Sequence, residues 1–139
     1  MNMAIFTAKA TAQGGRDGHV KSEDGLIDLN LVTPGSDSSE TGSNPEQLFA
    51  AGYSACYDGA LNLVAKNQNK DIESTVNGAV SLLKDEDDNG FKIAVELNVE
   101  VKGVSQEEAE ELTTAAHQVC PYSKATRGNI EVTINTEAK

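Results

Sequence analysis

NPEQLFAAGYSACYDGALNLVAK, from Asn44 to Lys66, carries a helix start and a helix-spaced apolar stripe, and the rest of the chain is read outward from it. Asn44 can cap the first turn, Pro45 suits the first helical position, and Gln47 can reach back to complete a capping box. Phe49, Gly52, Tyr53, Cys56, Ala60, Leu63 and Val64 recur at three- and four-residue steps, which predicts a core-facing stripe that includes Cys56. Gly52, Ala55, Gly59 and Ala60 keep that stripe thin. Glycine costs about 1 kcal/mol of helix propensity against alanine, so the small residues predict close approach by another backbone and a central, tightly surrounded helix.

Before this helix, Ile5 to Ala12 and Leu26 to Val32 place apolar and β-branched residues at roughly period two, the pattern of strands with one buried face. A glycine-rich turn, Gly14-Gly15-Arg16-Asp17-Gly18, separates them, and Thr33 to Ser43 reads as a surface loop. After it, Ile72 to Leu83 and Phe91 to Val101 flank Asp85-Glu86-Asp87-Asp88-Asn89-Gly90, an acidic turn ending in the Asn-Gly pair that hairpins favour. Ser105 and Glu108 form a second capping box, opening a helix that stops before Pro121. Ile130, Val132 and Ile134 alternate as a last strand. The order of strands, helix, hairpin, helix and strand is α+β.

The full chain has 139 residues, which suits one domain over 1–139 with its own core. A formal net charge of -11 argues against nucleic acid and anionic membrane surfaces as partners. Met1 to Ala12 lacks the apolar core of a signal peptide or a membrane span, so the expected location is cytoplasmic.

The two cysteines differ in setting: Cys56 lies mid-helix, whereas Cys120 directly precedes a helix-ending proline. In a chain of this kind a cysteine pair points to catalysis, metal binding or incidental packing before a permanent disulfide. A mid-helix cysteine gains little from the helix dipole, and burial raises its pKa, so Cys56 needs a cation to react. On an apolar stripe it otherwise reads as packing. Arg16 is the best available cation, although an arginine in a glycine turn also reads simply as a solvated loop residue. Glu46 suits the first helical turn through the dipole alone, or could anchor an arginine. Ten helical residues between Glu46 and Cys56 span about 15 Å, so one arginine cannot touch both unless the helix breaks or a second subunit contributes. His19 and His117 lack the ligand spacing of a zinc site, and the chain carries no phosphate loop, dinucleotide fingerprint or nucleophile elbow.

Three segments together, GGRDGHV at Gly14 to Val20, NPEQLFAAGYSACYDGAL at Asn44 to Leu61, and AAHQVCPYSKATRGNI at Ala115 to Ile130, closely resemble the organic hydroperoxide resistance proteins of the OsmC-like superfamily. The likeness is collinear over nearly the whole chain. It implies a thiol peroxidase that reduces organic hydroperoxides to alcohols, with Cys56 as the peroxide-attacking cysteine and Cys120 as the resolving one. Arg16 and Glu46 match the pair that supports the reactive sulfur. The implied fold has antiparallel sheets enclosing central helices in an intertwined homodimer. The implied reductant is a dihydrolipoyl group on a partner protein, with no metal or bound cofactor. Phe49 and Tyr53, on the stripe beside Cys56, are the candidate substrate-contacting residues. A thiol-based redox sensor or binding protein using the same two cysteines is the alternative.

Overall fold

The computed structural model describes residues 2–139, which gather into two compact units divided between Leu48 and Phe49. In the first, β1 (Ala10–Gln13), β2 (His19–Ser22) and β3 (Asp28–Asn30) form an antiparallel meander in that order. β1 and β2 are joined by the tight turn carrying Arg16, where Gly14 and Gly15 both adopt positive φ (79° and 65°). A Cβ at Gly18 would collide with the Gln13 carbonyl oxygen, so only glycine fits there.

The strands are shorter than the apolar alternation predicts. Pairing with β2 supports only four residues of β1, and Ile5 and Phe6 are left 98% and 83% exposed with no ladder to join. Leu26 is exposed as well, and β3 begins only at Asp28. A separate strand at His19–Ser22 occupies part of the expected connection.

The central helix, α1 (Pro45–Asn67), forms as its start signal predicts. Asn44 Oδ1 accepts the Gln47 N–H at 2.8 Å, but the Gln47 side chain bonds to Ser43 Oγ at 2.6 Å, so the capping box is only half made. The buried stripe is Tyr53, Tyr57, Ala60, Leu61, Val64 and Ala65, whereas Leu63, expected inside, is 49% exposed. The close approach expected at the small residues is made at Gly52 by a ring rather than a backbone: a Cβ there would sit 2.5 Å from Tyr122 Oη. Nothing lies within 4 Å of a Cβ built at Gly59.

In the second unit, β4 (Glu73–Asp85) and β5 (Gly90–Lys102) form the predicted hairpin, paired antiparallel from Glu73 with Lys102 to Asp85 with Gly90. Asn89 takes the positive φ (60°) that the turn requires. β6 (Val132–Ala138) joins β5 in parallel, so this sheet is mixed, with β5 central, rather than wholly antiparallel. A parallel return requires a crossover, and the helices between β5 and β6 supply it. α2 (Gln106–Val119) opens with both halves of the Ser105/Glu108 capping box. A short helix, α3 (Pro121–Thr126), follows directly, where the sequence predicts only a helix end. Val95, Leu97, Val99 and Val101 of β5 and Ala109, Leu112 and Ala116 of α2 close a core over Tyr53, Tyr57 and Leu61 of α1.

Candidate active site

Cys56 is brought to the site by the middle of α1 and is partly buried; Cys120 is wholly buried at the joint of α2 and α3. Their sulfurs lie 3.6 Å apart, and both are free thiols. The joint explains the approach. Cys120 ends α2 and caps α3 in an extended conformation (φ -61°, ψ 123°), and Pro121 occupies the first turn of α3. The chain therefore turns at Cys120 itself and delivers the backbone N–H of Tyr122 to the Cys56 sulfur.

Burial pushes the Cys56 thiol above the ordinary thiol range, the Tyr122 N–H pulls it back, and the hydrogen bond and charge of Cys120 push it up again. Proximity to Cys120 thus does not activate Cys56, and the requirement for a cation read from the sequence stands.

Arg16 and Glu46 meet in the first unit as a two-pronged pair. Nη1 donates to Oε1 at 2.7 Å and Nη2 to Oε2 at 2.9 Å, the planar match that arginine makes with a carboxylate. The hydrogen bond from Arg16 holds the Glu46 carboxyl below its usual range, and the carboxylate in turn raises the guanidinium. Asp17 Oδ1 accepts the Thr33 N–H at 3.1 Å and pins the turn on its other side. α1 is unbroken between Glu46 and Cys56.

Phe49 and Tyr53 stack edge to face at 6.0 Å, and Tyr122 completes the cluster at 5.8 Å from Phe49 and 5.6 Å from Tyr53. Phe49 is partly buried, Tyr53 wholly so, and Tyr122 is 37% exposed. Tyr122 was not singled out from the sequence, nor was Ser123, whose buried hydroxyl bonds to Tyr53 Oη at 2.7 Å and to His117 Nδ1 at 2.8 Å. The signal was present: a proline directly after Cys120 begins a helix as readily as it ends one. Burial, followed by the charge of Arg127, lowers the His117 pKa, so its ring is neutral near pH 7. Among the described residues no group of three or more His, Cys, Asp or Glu could hold a metal, and no helix is long and apolar enough to cross a membrane.

Comparison with known proteins agrees with the resemblance. Residues 35–135 match the family described as OsmC-like protein. The organic hydroperoxide resistance protein OhrB of Bacillus subtilis is 59% identical over 131 residues, 94% of this chain and 96% of that protein. OhrA of the same organism is 51% identical over 137 residues, 96% of this chain and 97% of that one. The crystal structure of B. subtilis OhrB superposes with a TM-score of 0.93 at 56% identity, covering 96% of this chain and all of the other. An organic hydroperoxide resistance protein from Elizabethkingia anophelis gives 0.90 at 47%, covering 98% and 99%. With this fold, and matches that run almost from end to end, the chain belongs to the OsmC-like family and, within it, to the organic hydroperoxide resistance proteins.

Proposed function

We propose that the chain is a cysteine-based peroxidase that reduces organic hydroperoxides to alcohols. The observation that carries this reading is the 3.6 Å separation of two free thiols, one partly exposed and one buried. The Cys56 thiolate attacks the terminal peroxide oxygen in line with the O–O bond. That bond breaks, the alkoxide takes a proton and leaves as alcohol, and Cys56 becomes a sulfenic acid. The Cys120 thiolate then attacks the Cys56 sulfur, hydroxide leaves and is protonated to water, and the sulfurs close to about 2.05 Å.

Reduction begins at Cys56, since Cys120 is inaccessible. An incoming thiolate bonds to the Cys56 sulfur, Cys120 leaves as thiolate, and the second thiol of the same molecule displaces Cys56. A dithiol completes this step intramolecularly, which favours the dihydrolipoyl group of a partner protein over a monothiol. Glu46 and Cys56 are about 15 Å apart along an unbroken helix and Glu46 holds Arg16, so the guanidinium that lowers the Cys56 pKa and stabilises charge on the peroxide oxygens is the Arg16 of a second copy of the chain, oriented by that copy's Glu46. No resident metal or cofactor takes part in these steps.

The exposed apolar residues of each unit, Ile5, Phe6 and Leu26 in one and Leu82, Leu83 and Phe91 in the other, favour a homodimer that covers them. The working location is the cytoplasm, where reduced thiols persist.

We further propose that the aromatic cluster of Phe49, Tyr53 and Tyr122 serves as the apolar wall for the substrate tail, met at the partly open Phe49 and Tyr122 while Tyr53, wholly buried, backs them. A substrate tail burying about 100 Å² gains about 2.5 kcal/mol, roughly a seventyfold preference over hydrogen peroxide. The test is the rate of Cys56 oxidation by hydrogen peroxide, tert-butyl hydroperoxide and a fatty-acid hydroperoxide, followed by turnover with dihydrolipoamide or glutathione. Rates rising with tail size, with turnover on the dithiol, support the reading. One oxidation without turnover on any dithiol would make the protein a sensor instead.

A further inference from the structure

Ser123 Oγ bridges the elements that carry the two sulfurs. It lies 2.7 Å from Tyr53 Oη on α1, three residues before Cys56, and 2.8 Å from His117 Nδ1 on α2, three residues before Cys120. Ser123 itself is three residues after Cys120 on α3, and Thr126 Oγ1 adds a bond to Tyr53 Oη at 3.1 Å. The three buried polar residues among those described are Thr113, Ser123 and Thr126, and two of them belong to this cluster.

A buried hydrogen-bonded group adds little net stability over an apolar filling of the same shape. What it adds is direction, because apolar contacts slide and hydrogen bonds do not. The cluster sits where direction matters. α3 has only six residues and little stability of its own, and the chain turns at Cys120 between two helices. Without a cross-tie, the α2–α3 joint could hinge and carry the Cys120 sulfur away from Cys56.

We propose that Ser123 is a positioning residue for disulfide closure: by tying α2 and α3 to α1, it holds the Cys120 sulfur in line for attack on the oxidised Cys56. The consequence is a partition. After the first oxidation, Cys56 either closes onto Cys120 or meets a second peroxide and becomes a sulfinic acid. Ser123 acts on the first branch only. This rests on the two-cysteine peroxidase reading above.

The experiment is the partition itself. Reduced protein is mixed with rising cumene hydroperoxide, quenched with acid and alkylator, and the Cys56 disulfide and sulfinic acid are measured by mass spectrometry. In Ser123→Ala the peroxide concentration giving half over-oxidation should fall roughly tenfold, the scale of one lost directional hydrogen bond. Tyr53→Phe, which keeps the ring and removes the hydroxyl, should move it the same way and preserves the test if Ser123→Ala does not fold. Val101→Ala, a core truncation in β5, should lower the melting temperature without moving the partition. An unchanged partition in a folded Ser123→Ala or Tyr53→Phe protein, or an equal shift in Val101→Ala, would overturn the proposal. Absence of any disulfide in the wild type would instead overturn the peroxidase reading beneath it.

Discussion

Cys120 Sγ lies 3.6 Å from Cys56 Sγ, yet the two sulfurs stand on opposite sides of an accessibility boundary: Cys56 is partly open and Cys120 is 0% exposed. Distance alone would make the two interchangeable partners in a disulfide. The boundary orders them, because only the open sulfur can meet a peroxide, and only a buried thiol is protected from over-oxidation while it waits.

The division of labour can be read in single substitutions. Cys56→Ser should abolish peroxide reduction, whereas Cys120→Ser should react once and then progress to sulfinic acid on Cys56. Mass spectrometry after one equivalent of peroxide decides it. A sulfenic acid on Cys120 with Cys56 untouched would reverse the assignment.

The Cys56 thiol is pushed up first by burial, so little thiolate exists near neutral pH without a cation. If the guanidinium acts on Cys56 as proposed, Arg16→Ala should move the pH profile of Cys56 alkylation upward and slow peroxide reduction at pH 7 by roughly ten- to a thousandfold. Arg16→Lys should rescue poorly, because the pair to Glu46 uses both prongs of the guanidinium. An unchanged alkylation profile in Arg16→Ala would remove Arg16 from the mechanism.

What the sequence made legible was local. The helix start at Asn44-Pro45, the Asn89-Gly90 hairpin and the Ser105/Glu108 capping box depend on residues within a few positions of one another; the last two formed as read, and the first lacks only the Gln47 half of its box. Strand lengths near the N-terminus depended on partners. Ile5 and Phe6 keep the alternation of a strand but have no ladder to join within the chain. The parallel return of β6 is likewise invisible in its own alternation, since period two is the same in both directions. At the candidate site, the resemblance singles out the two cysteines that the structure brings to 3.6 Å and the Arg16–Glu46 pair, but the geometry at Cys120 is not legible in it. Pro121 both stops α2 and starts α3, and a stop alone predicts neither the Tyr122 N–H at Cys56 nor the Ser123 bridge.

The α2 cap carries a pH signature. The Ser105 backbone N–H, followed by Lys70, pulls the Glu108 carboxyl down to about 2. A carboxylate with a depressed folded pKa stabilises fully above its unfolded value of about 4.3, and the contribution is lost as pH falls through the folded value. The melting-temperature gap between wild type and Glu108→Gln should thus hold steady above about pH 5 and close toward about pH 2. A gap that persists undiminished at the acid end would mean that the carboxylate charge is not what the cap uses.

Gly59 has no cause within the chain that explains it. It lies in the interior of α1, a Cβ there meets nothing within 4 Å, and alanine would gain about 0.5–1 kcal/mol of helix stability. Gly52 differs, since Tyr122 fills the space a side chain would need. If a second copy of the chain packs its backbone against α1, glycine at 59 becomes the residue that permits the approach, and the added methyl of Gly59→Ala should weaken self-association despite its better propensity. Sedimentation across micromolar concentrations, paired with thermal melts, measures both effects. The expected result is a variant that dissociates at higher concentration than wild type and melts lower at equal dilution. A variant of unchanged size that melts higher would show that Gly59 faces open solvent, and the small-residue argument for a second chain would fail at that position.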